Sequence, residues 1–291
     1  MRKVKVAATQ MACTRNREEN IANAEAMVRD AASRGANVIL LQELFETPYF
    51  CQQQNFEYMN LAMPLDKDPA VNRFKEVAKE LGVVIPVSFY EKAGNTGFNT
   101  IAMIDADGTV LGKYRKTHIP DGLPYAEKFY FTPGDTGFKV WDTTFGRIGV
   151  GICWDQWFPE TARCMAVQGA EMLLYPTAIG SEPILDVDSS GHWRRVMQGH
   201  AAANLMPVVA ANRIGVETVE PCKENAGQSS SLDFYGCSFI ADATGDIIVS
   251  AKQEETILYG EFDLDVLKEE RLSWGLFRDR RPETYIVMTK K

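Results

Sequence analysis

The chain has 291 residues, 45% of them hydrophobic and 24% charged, and its 31 basic against 39 acidic side chains leave a formal charge of −8. A chain of this length buries roughly three quarters of the surface it exposes when unfolded, and its 15 Phe, 10 Tyr and 5 Trp argue against wholesale disorder. No basic stripe suited to nucleic acid is visible, no apolar stretch approaches the roughly 18 residues that span a bilayer, and the six cysteines contain no C-x-x-C pair for zinc.

In chain order, strands and helices alternate. The opening MRKVKVAATQMACT reads as a strand over 3–11, too short and interrupted in its apolar part for a signal peptide. Asn16 with Glu19 forms a helix cap, and Ile21, Met27, Val28 and Ala31 follow at helical spacing until Gly35. Residues 37–42 (NVILLQ) are apolar on both faces, so they predict a buried strand. Asp68-Pro69 opens a second helix, with Val71, Phe74, Val77, Ala78 and Leu81 inward and Gly82 as its stop. Strands are expected near 83–90, 98–104 and 109–115. Then come a strand over 147–152, a helix from Pro159 to Gly169, a strand over 171–175, a helix over about 192–206 and a strand over 207–213. Strands near 235–241, 246–250 and 257–262 complete the pattern.

Two segments echo one another. Gly35–Leu41 (GANVILL) resembles Gly169–Tyr175 (GAEMLLY), and Ile104–Val110 (IDADGTV) resembles Ala241–Ile247 (ADATGDI). Both pairs recur in the same order about 135 positions apart, too long a period for a solenoid. The expectation is an α/β fold of two similar halves, stacked sheet on sheet with helices outside, as a four-layer α-β-β-α sandwich. No Ser/Gly/Pro linker separates the halves, so residues 1–291 read as a single domain. The aromatic, basic tail within 264–291 (LSWGLFRDRRPETY over 272–285) is read as an oligomer contact.

Three reactive side chains end apolar strands: Glu43 after Val38–Gln42, Lys116 after Val110–Arg115, and Cys153 after Arg147–Ile152. Open α/β sheets place their sites at such strand ends. Each residue alone has a plainer reading. Glu43 is a strand-end charge, Lys116 belongs to a solvated cluster with Lys113 and Arg115, and Cys153 is an inert small hydrophobe, a role that suits Cys164 better. Together they suggest more, because a lone buried carboxylate or ammonium costs several kcal/mol. Cys153 also sits on a strand-to-helix turn before Pro159, the geometry of a nucleophile elbow.

The blocks L-L-Q-E-L-F around Glu43, Y-R-K-T-H-I-P around Lys116 and G-I-C-W-D around Cys153 resemble the three signature blocks of the nitrilase superfamily of carbon–nitrogen hydrolases. They stand in the family's order, and the likeness runs from about residue 3 to about residue 285. It implies the α-β-β-α sandwich, Cys153 as nucleophile and Glu43 as general base. Lys116 would stabilise the oxyanion, with the backbone N–H of Trp154. Glu127 matches a second glutamate that would position Lys116 or the substrate. No metal or organic cofactor is implied.

The runs HIPDGLPYAEKFYFTPGDTGF (118–138), YPTAIGSEP (175–183) and LFETPYFC (44–51) resemble the branch that acts on N-carbamoylputrescine in polyamine biosynthesis. Branches that hold a substrate carboxylate place an arginine soon after the nucleophile. Here Gln156 and Trp157 stand there, and the first arginine is Arg163. The implied substrate is a small cationic ureido compound with its head at Cys153. Its ammonium tail would meet Glu182, or secondarily Asp121, and Tyr49, Tyr125 and Trp154 would line the path. His192 and His200, on one helix, are read as structural. An omega-amidase, a β-ureidopropionase or a nitrilase would keep the same triad, and a silent scaffold would have no use for it. A cytoplasmic homo-oligomer is expected, with neither nucleic acid nor membrane as partner.

Overall fold

The computed structural model describes residues 1–181 and 188–290. The elements follow from the local signals. Strand β1 (Lys3–Gln10) leads to α1 (Arg17–Ser33), where the Asn16 side chain accepts from the N–H groups of Glu18 and Glu19. After β2 (Val38–Leu40), α2 (Pro69–Leu81) starts with Asp68 capping Val71 and stops at Gly82, whose φ of 66° is left-handed. The hairpin strands β3 (Ile85–Ala93), β4 (Thr96–Ile104) and β5 (Val110–Arg115) follow. Next come β6 (Val140–Thr143), β7 (Gly146–Val150), α3 (Pro159–Val167), β8 (Met172–Pro176), α4 (Ser190–Asn204) and β9 (Val208–Ala211). The chain closes with β10 (Ile214–Val219), β11 (Ser230–Tyr235), β12 (Phe239–Ala241), β13 (Ile247–Ser250), β14 (Thr256–Asp263) and α5 (Leu264–Trp274).

Two sheets carry the fold. One runs β14-β1-β2 and continues into β3-β4-β5, joined where Ile39 N–H donates to Val84 O and Val84 N–H to Asn37 O, both at 2.9 Å. The other runs β13-β12-β9-β8-β7-β6. A separate hairpin pairs β10 with β11. Side chains alternate across each strand. Val6 and Ala8, Val38 and Leu40, Ile148 and Val150, and Met172 and Leu174 meet between the sheets. Ala7, Ile39 and Ala102 turn outward onto α1 and α2, while Leu173, Tyr175, Val208 and Ala210 turn outward onto α3 and α4. The layers are therefore helix, sheet, sheet, helix, as the echoes predicted. Among the described residues no helix is long and apolar enough to cross a membrane.

The halves repeat in detail. Val6 pairs parallel with Val38, and Ile148 pairs parallel with Met172. Both the β4–β5 and the β12–β13 hairpins carry a register shift. Gly108 and Gly245 end matching turns at φ of 83° and 93°. A Cβ at Gly108 would lie 2.6 Å from Lys75 O on α2, and one at Gly245 would lie 2.6 Å from Gln198 O on α4.

Several boundaries differ from the sequence reading. The expected strand over 207–213 ends at Ala211, because Asn212 and Arg213 are polar, buried and turned toward loops. The expected strand over 235–241 breaks at Gly236 and Cys237, which have φ of 60° and 58° as the chain passes from the hairpin into the sheet. Strands β6, β10 and β11 went unread because they are short or half-exposed. The tail begins as helix α5, of which only Leu264 is buried.

Gly108→Ala and Gly245→Ala should each lower stability by about 2–3 kcal/mol, since both add strain at positive φ and a backbone clash. Urea unfolding of the two variants checks this. A marked loss in one and none in the other would contradict the equivalence of the halves.

Candidate active site

Three strand ends converge at one edge of the sandwich. After β2 the chain turns sharply: Leu44 has φ 47°, Glu43 N–H donates to Thr177 O at 3.3 Å, and Leu44 N–H donates to Ser88 Oγ at 2.9 Å. After β5, Lys116 is fixed by its backbone, with N–H to Asn99 O at 2.8 Å and Gly134 N–H to its own carbonyl at 2.8 Å. Only glycine fits at 134, where a Cβ would lie 2.0 Å from Arg115 O. After β7, Cys153 opens a 3-10 turn (Cys153–Trp157) with φ 43°. A positive φ outside glycine is costly and is held only where neighbours over-determine it.

Asp155 does that holding. Its carboxylate accepts from Ile152 N–H at 3.0 Å, Tyr114 OH at 2.7 Å and His118 N–H at 3.0 Å, and shares a 2.7 Å bond with His118 Nδ1. The His118 ring stacks on Phe158 at 3.6 Å. The nucleophile turn and the lysine-bearing segment are thereby tied to one buried carboxylate.

Three of the expected side chains, those of Lys116, Glu43 and Glu127, meet directly. Lys116 Nζ donates to Glu43 Oε1 at 2.8 Å and to Glu127 Oε2 at 2.7 Å, and all three side chains are fully buried. Asn99 Nδ2 donates to Glu43 Oε1 at 2.7 Å, and Tyr49 OH donates to Glu127 Oε1 at 2.7 Å. Glu43 Oε2 is buried without a hydrogen-bond partner, so one lone-pair face of this carboxylate stays open. Cys153 is 5% exposed, and its Sγ donates to the carbonyl of Ala178 at 3.8 Å.

Two carboxylates share one ammonium out of water. Burial works against the Lys116 charge, but Glu127 and then Glu43 outweigh it and hold the ammonium well above its ordinary range. Burial, with Glu43 nearby, pushes the Glu127 carboxyl up to about 7 even though Lys116 and Tyr49 donate to it. Burial and the charge of Glu43 push the Cys153 thiol well up, with Lys116 opposing. A thiol that feels the charges of Glu43 and Lys116, with an open carboxylate oxygen and a fixed ammonium, supplies the parts for attack at carbon, proton removal and charge stabilisation.

The remaining expected residues divide. Tyr49 is buried at the cluster, and its ring packs edge-on to Tyr125 at 5.8 Å. Tyr125 OH accepts from Gly180 N–H at 3.0 Å, on the segment that follows Ala178. Trp154 is 38% exposed and packs edge-on against Trp157. Asp121 lies in an exposed loop, where Oδ1 accepts from Gly122 N–H. Glu182 lies outside the described residues. His200 is buried with Nδ1 2.9 Å from Tyr175 OH, and burial lowers its pKa to about 4. His192 is exposed and lies against Trp157. Cys164, read as an inert small hydrophobe, is exposed on α3, because the helix buries Ala162, Met165 and Ala166. Lys113 and Arg115 are not freely solvated: both pair with the buried Glu91. Lys116 points the other way.

Sequence reasoning missed Asn99, Asp155, Arg213 and Glu217. The last two form a 2.6 Å ion pair behind Glu43. A signal existed for Asp155 and Arg213, since each is a charge within a few residues of the end of an apolar strand. Asn99 gave none, being one polar residue inside β4. Among the described residues, no group of three or more His, Cys, Asp or Glu side chains is placed to hold a metal ion.

Residues 5–271 match the family model described as carbon–nitrogen hydrolase. The chain is 58% identical over 289 residues to a Solanum tuberosum protein named N-carbamoylputrescine amidase, covering 99% of this chain and 95% of the relative. It is 52% identical to a Francisella tularensis protein named citrullinase, with both chains covered in full. A crystal structure of a carbon–nitrogen hydrolase from Helicobacter pylori G27 superposes with a TM-score of 0.91 at 36% identity, covering 99% of each chain.

Because burial raises the Cys153 thiol, its thiolate should be absent at neutral pH and appear only above the ordinary thiol value of about 8.5. The ultraviolet thiolate absorbance of the wild type minus that of Cys153→Ala, followed against pH, measures this. A full thiolate signal already at pH about 7 would contradict the geometry.

Proposed function

The chain belongs to the carbon–nitrogen hydrolase family, and on that premise we propose that it hydrolyses N-carbamoylputrescine to putrescine, ammonia and carbon dioxide. The observation that carries this reading is full-length identity of 57–58% to four relatives bearing the name N-carbamoylputrescine amidase. The reaction belongs to polyamine biosynthesis.

In the proposed mechanism, Glu43 Oε2 takes the Cys153 proton as sulfur attacks the ureido carbon. The carbonyl oxygen becomes an oxyanion, held by Lys116 and by the backbone N–H of Trp154, an interaction worth about 3–4 kcal/mol of barrier. Collapse breaks the bond to the terminal nitrogen, which leaves as ammonia with the proton from Glu43. A carbamoyl thioester remains. Glu43 then deprotonates water, which attacks the thioester, and the thiol departs with that proton. The released carbamate decomposes to putrescine and carbon dioxide. Glu127 holds Lys116 between two carboxylates through both steps. No metal or organic cofactor enters.

Tyr49, Tyr125 and Trp154 are our candidates for the aliphatic path, with Glu182 first and Asp121 second for the ammonium tail. Citrulline carries the same ureido head and adds a carboxylate beside its amine, so it is the sharpest competitor. Three arginines close in sequence to the segments that carry the site are engaged elsewhere, which favours the substrate without that carboxylate. Arg163 donates to Ala203 O and lies over the Phe277 ring, Arg115 pairs with Glu91 and Asp135, and Arg213 is held by backbone carbonyls and Glu217.

We also read residues 1–291 as one domain, since β1 near the start pairs with β14 near the end. Six unpaired cysteines favour the reducing cytoplasm. A homo-oligomer is favoured by the exposed Leu272, Trp274, Ile286, Val287 and Met288 around α5 and the tail.

Ammonia release over a panel tests the specificity: N-carbamoylputrescine, L-citrulline, N-carbamoyl-β-alanine, glutaramate and a simple nitrile. We expect kcat/KM for N-carbamoylputrescine to lead by at least about tenfold, and preference for an anionic member would overturn the assignment. Cys153→Ala should abolish turnover, and Glu43→Gln should lower it by about 10²–10⁴-fold. A scaffold would keep its function in Cys153→Ala. Light scattering should give a mass above the 32.5 kDa of one chain, falling toward it in a double Ile286→Asp, Val287→Asp variant.

A further inference from the structure

Arg213 lies just past β9, and its side chain is fully buried. Burying a guanidinium costs several kcal/mol unless strong partners surround it, so its partners indicate its purpose. Nη2 donates to Glu43 O and to Leu44 O, each at 3.0 Å. Nη1 donates to Thr47 O at 3.4 Å and to Glu217 Oε1 at 2.6 Å. The cation also lies 5.8 Å from the Tyr49 ring centroid and 5.3 Å from that of Phe234. One side chain thus gathers three carbonyls of the single turn that carries Glu43.

That turn needs a brace. Leu44 is left-handed with φ 47°, a conformation costing of order 1–3 kcal/mol for a residue with a side chain. Its carbonyl also accepts from Thr47 N–H at 3.2 Å, whereas the buried Glu43 carbonyl takes its donor from Arg213. The planar fork of arginine reaches several acceptors at once, which a lysine ammonium on a flexible stem does less well. Glu217 extends the brace: its other oxygen accepts from Tyr49 N–H at 2.6 Å, and Tyr49 OH donates to Glu127. Both carboxylates that flank Lys116 are therefore supported from behind by the Arg213–Glu217 pair.

We propose that Arg213, with Glu217, is a positioning residue that sets the orientation of Glu43 for proton transfer without touching substrate. Misplacing a reacting group by about 1 Å costs on the order of a hundredfold in rate. This inference rests on the reading of Glu43 as general base.

The test is kcat per active site for Arg213→Lys and Glu217→Gln, with sites counted by stoichiometric alkylation of Cys153. Both variants keep a charge or an acceptor in place, so a folded population is retained for counting. We expect Arg213→Lys to lose about tenfold or more in kcat per titrated site, with KM within about threefold. Glu217→Gln, whose single amide oxygen keeps one of the two contacts, with Tyr49 or with Arg213, should lose less. A purely structural role predicts fewer titratable sites with unchanged kcat at each. Kcat per site within about twofold of wild type in both variants overturns the proposal. Glu43→Gln separates the two readings: if it stays active the base assignment has failed, whereas an inactive Glu43→Gln beside a normal Arg213→Lys rejects positioning alone.

Discussion

One ammonium between two carboxylates, all out of water, governs the rest of this structure. Isolated in an apolar interior, Lys116 would lose its charge; between Glu43 and Glu127, at 2.8 and 2.7 Å, it keeps it. Burial and the charge of Glu43 push Glu127 up to about 7, and the surrounding donors support both carboxylates. Tyr49 serves one carboxylate and Asn99 the other, from different parts of the chain. A cluster of this kind tolerates little looseness, because a group left unpaired at this depth costs more than the pair contributes when formed. Rigidity of the reacting geometry is thus a by-product of the need to keep the charges satisfied.

Two strained turns deliver the reacting groups, and each has its own anchor. Cys153 at φ 43° is held through Asp155, which also grips the lysine-bearing segment at Tyr114 and His118. Leu44 at φ 47°, next to Glu43, is held through Arg213. An acidic side chain fastens N–H and hydroxyl donors at one turn, and a basic one fastens carbonyls at the other. Each anchor matches the kind of polar group its turn presents.

The repeat within the fold explains why one site arises from two like halves. Five residues beyond the paired strand positions, the first half bears Met11 and Glu43 and the second bears Cys153 and Thr177. The thiol thus comes from one half and the carboxylate from the other. Lys116 has its counterpart at Gln253. Glu43 and Thr177, the equivalent pair, meet directly through Glu43 N–H and Thr177 O. The sheets stack so that both sets of strand ends open at the same edge, and the chemistry is divided across the seam. The thiol and the carboxylate thus sit at the ends of strands in separate sheets, fixed by the same core.

Glu127 entered through family resemblance, whereas the period of the elements, most of their caps, the internal repeat and the candidates Glu43, Lys116 and Cys153 were legible in the sequence by itself. Those signals are local: apolar alternation, Asx and glycine caps, and reactive groups placed where buried strands end. Cys164 shows the limit of that view, since helical periodicity alone did not say which face of α3 would meet the sheet. The parts that only the tertiary structure decided depend on partners far along the chain. Asn99 sits 56 positions from Glu43, and Arg213 sits 170 positions from the same turn. Nothing near either residue in sequence reveals a buried acceptor waiting for it. Hydrogen bonds inside a low-dielectric core form between whatever the packed sheets bring together, and that juxtaposition exists only once the two halves have closed on each other.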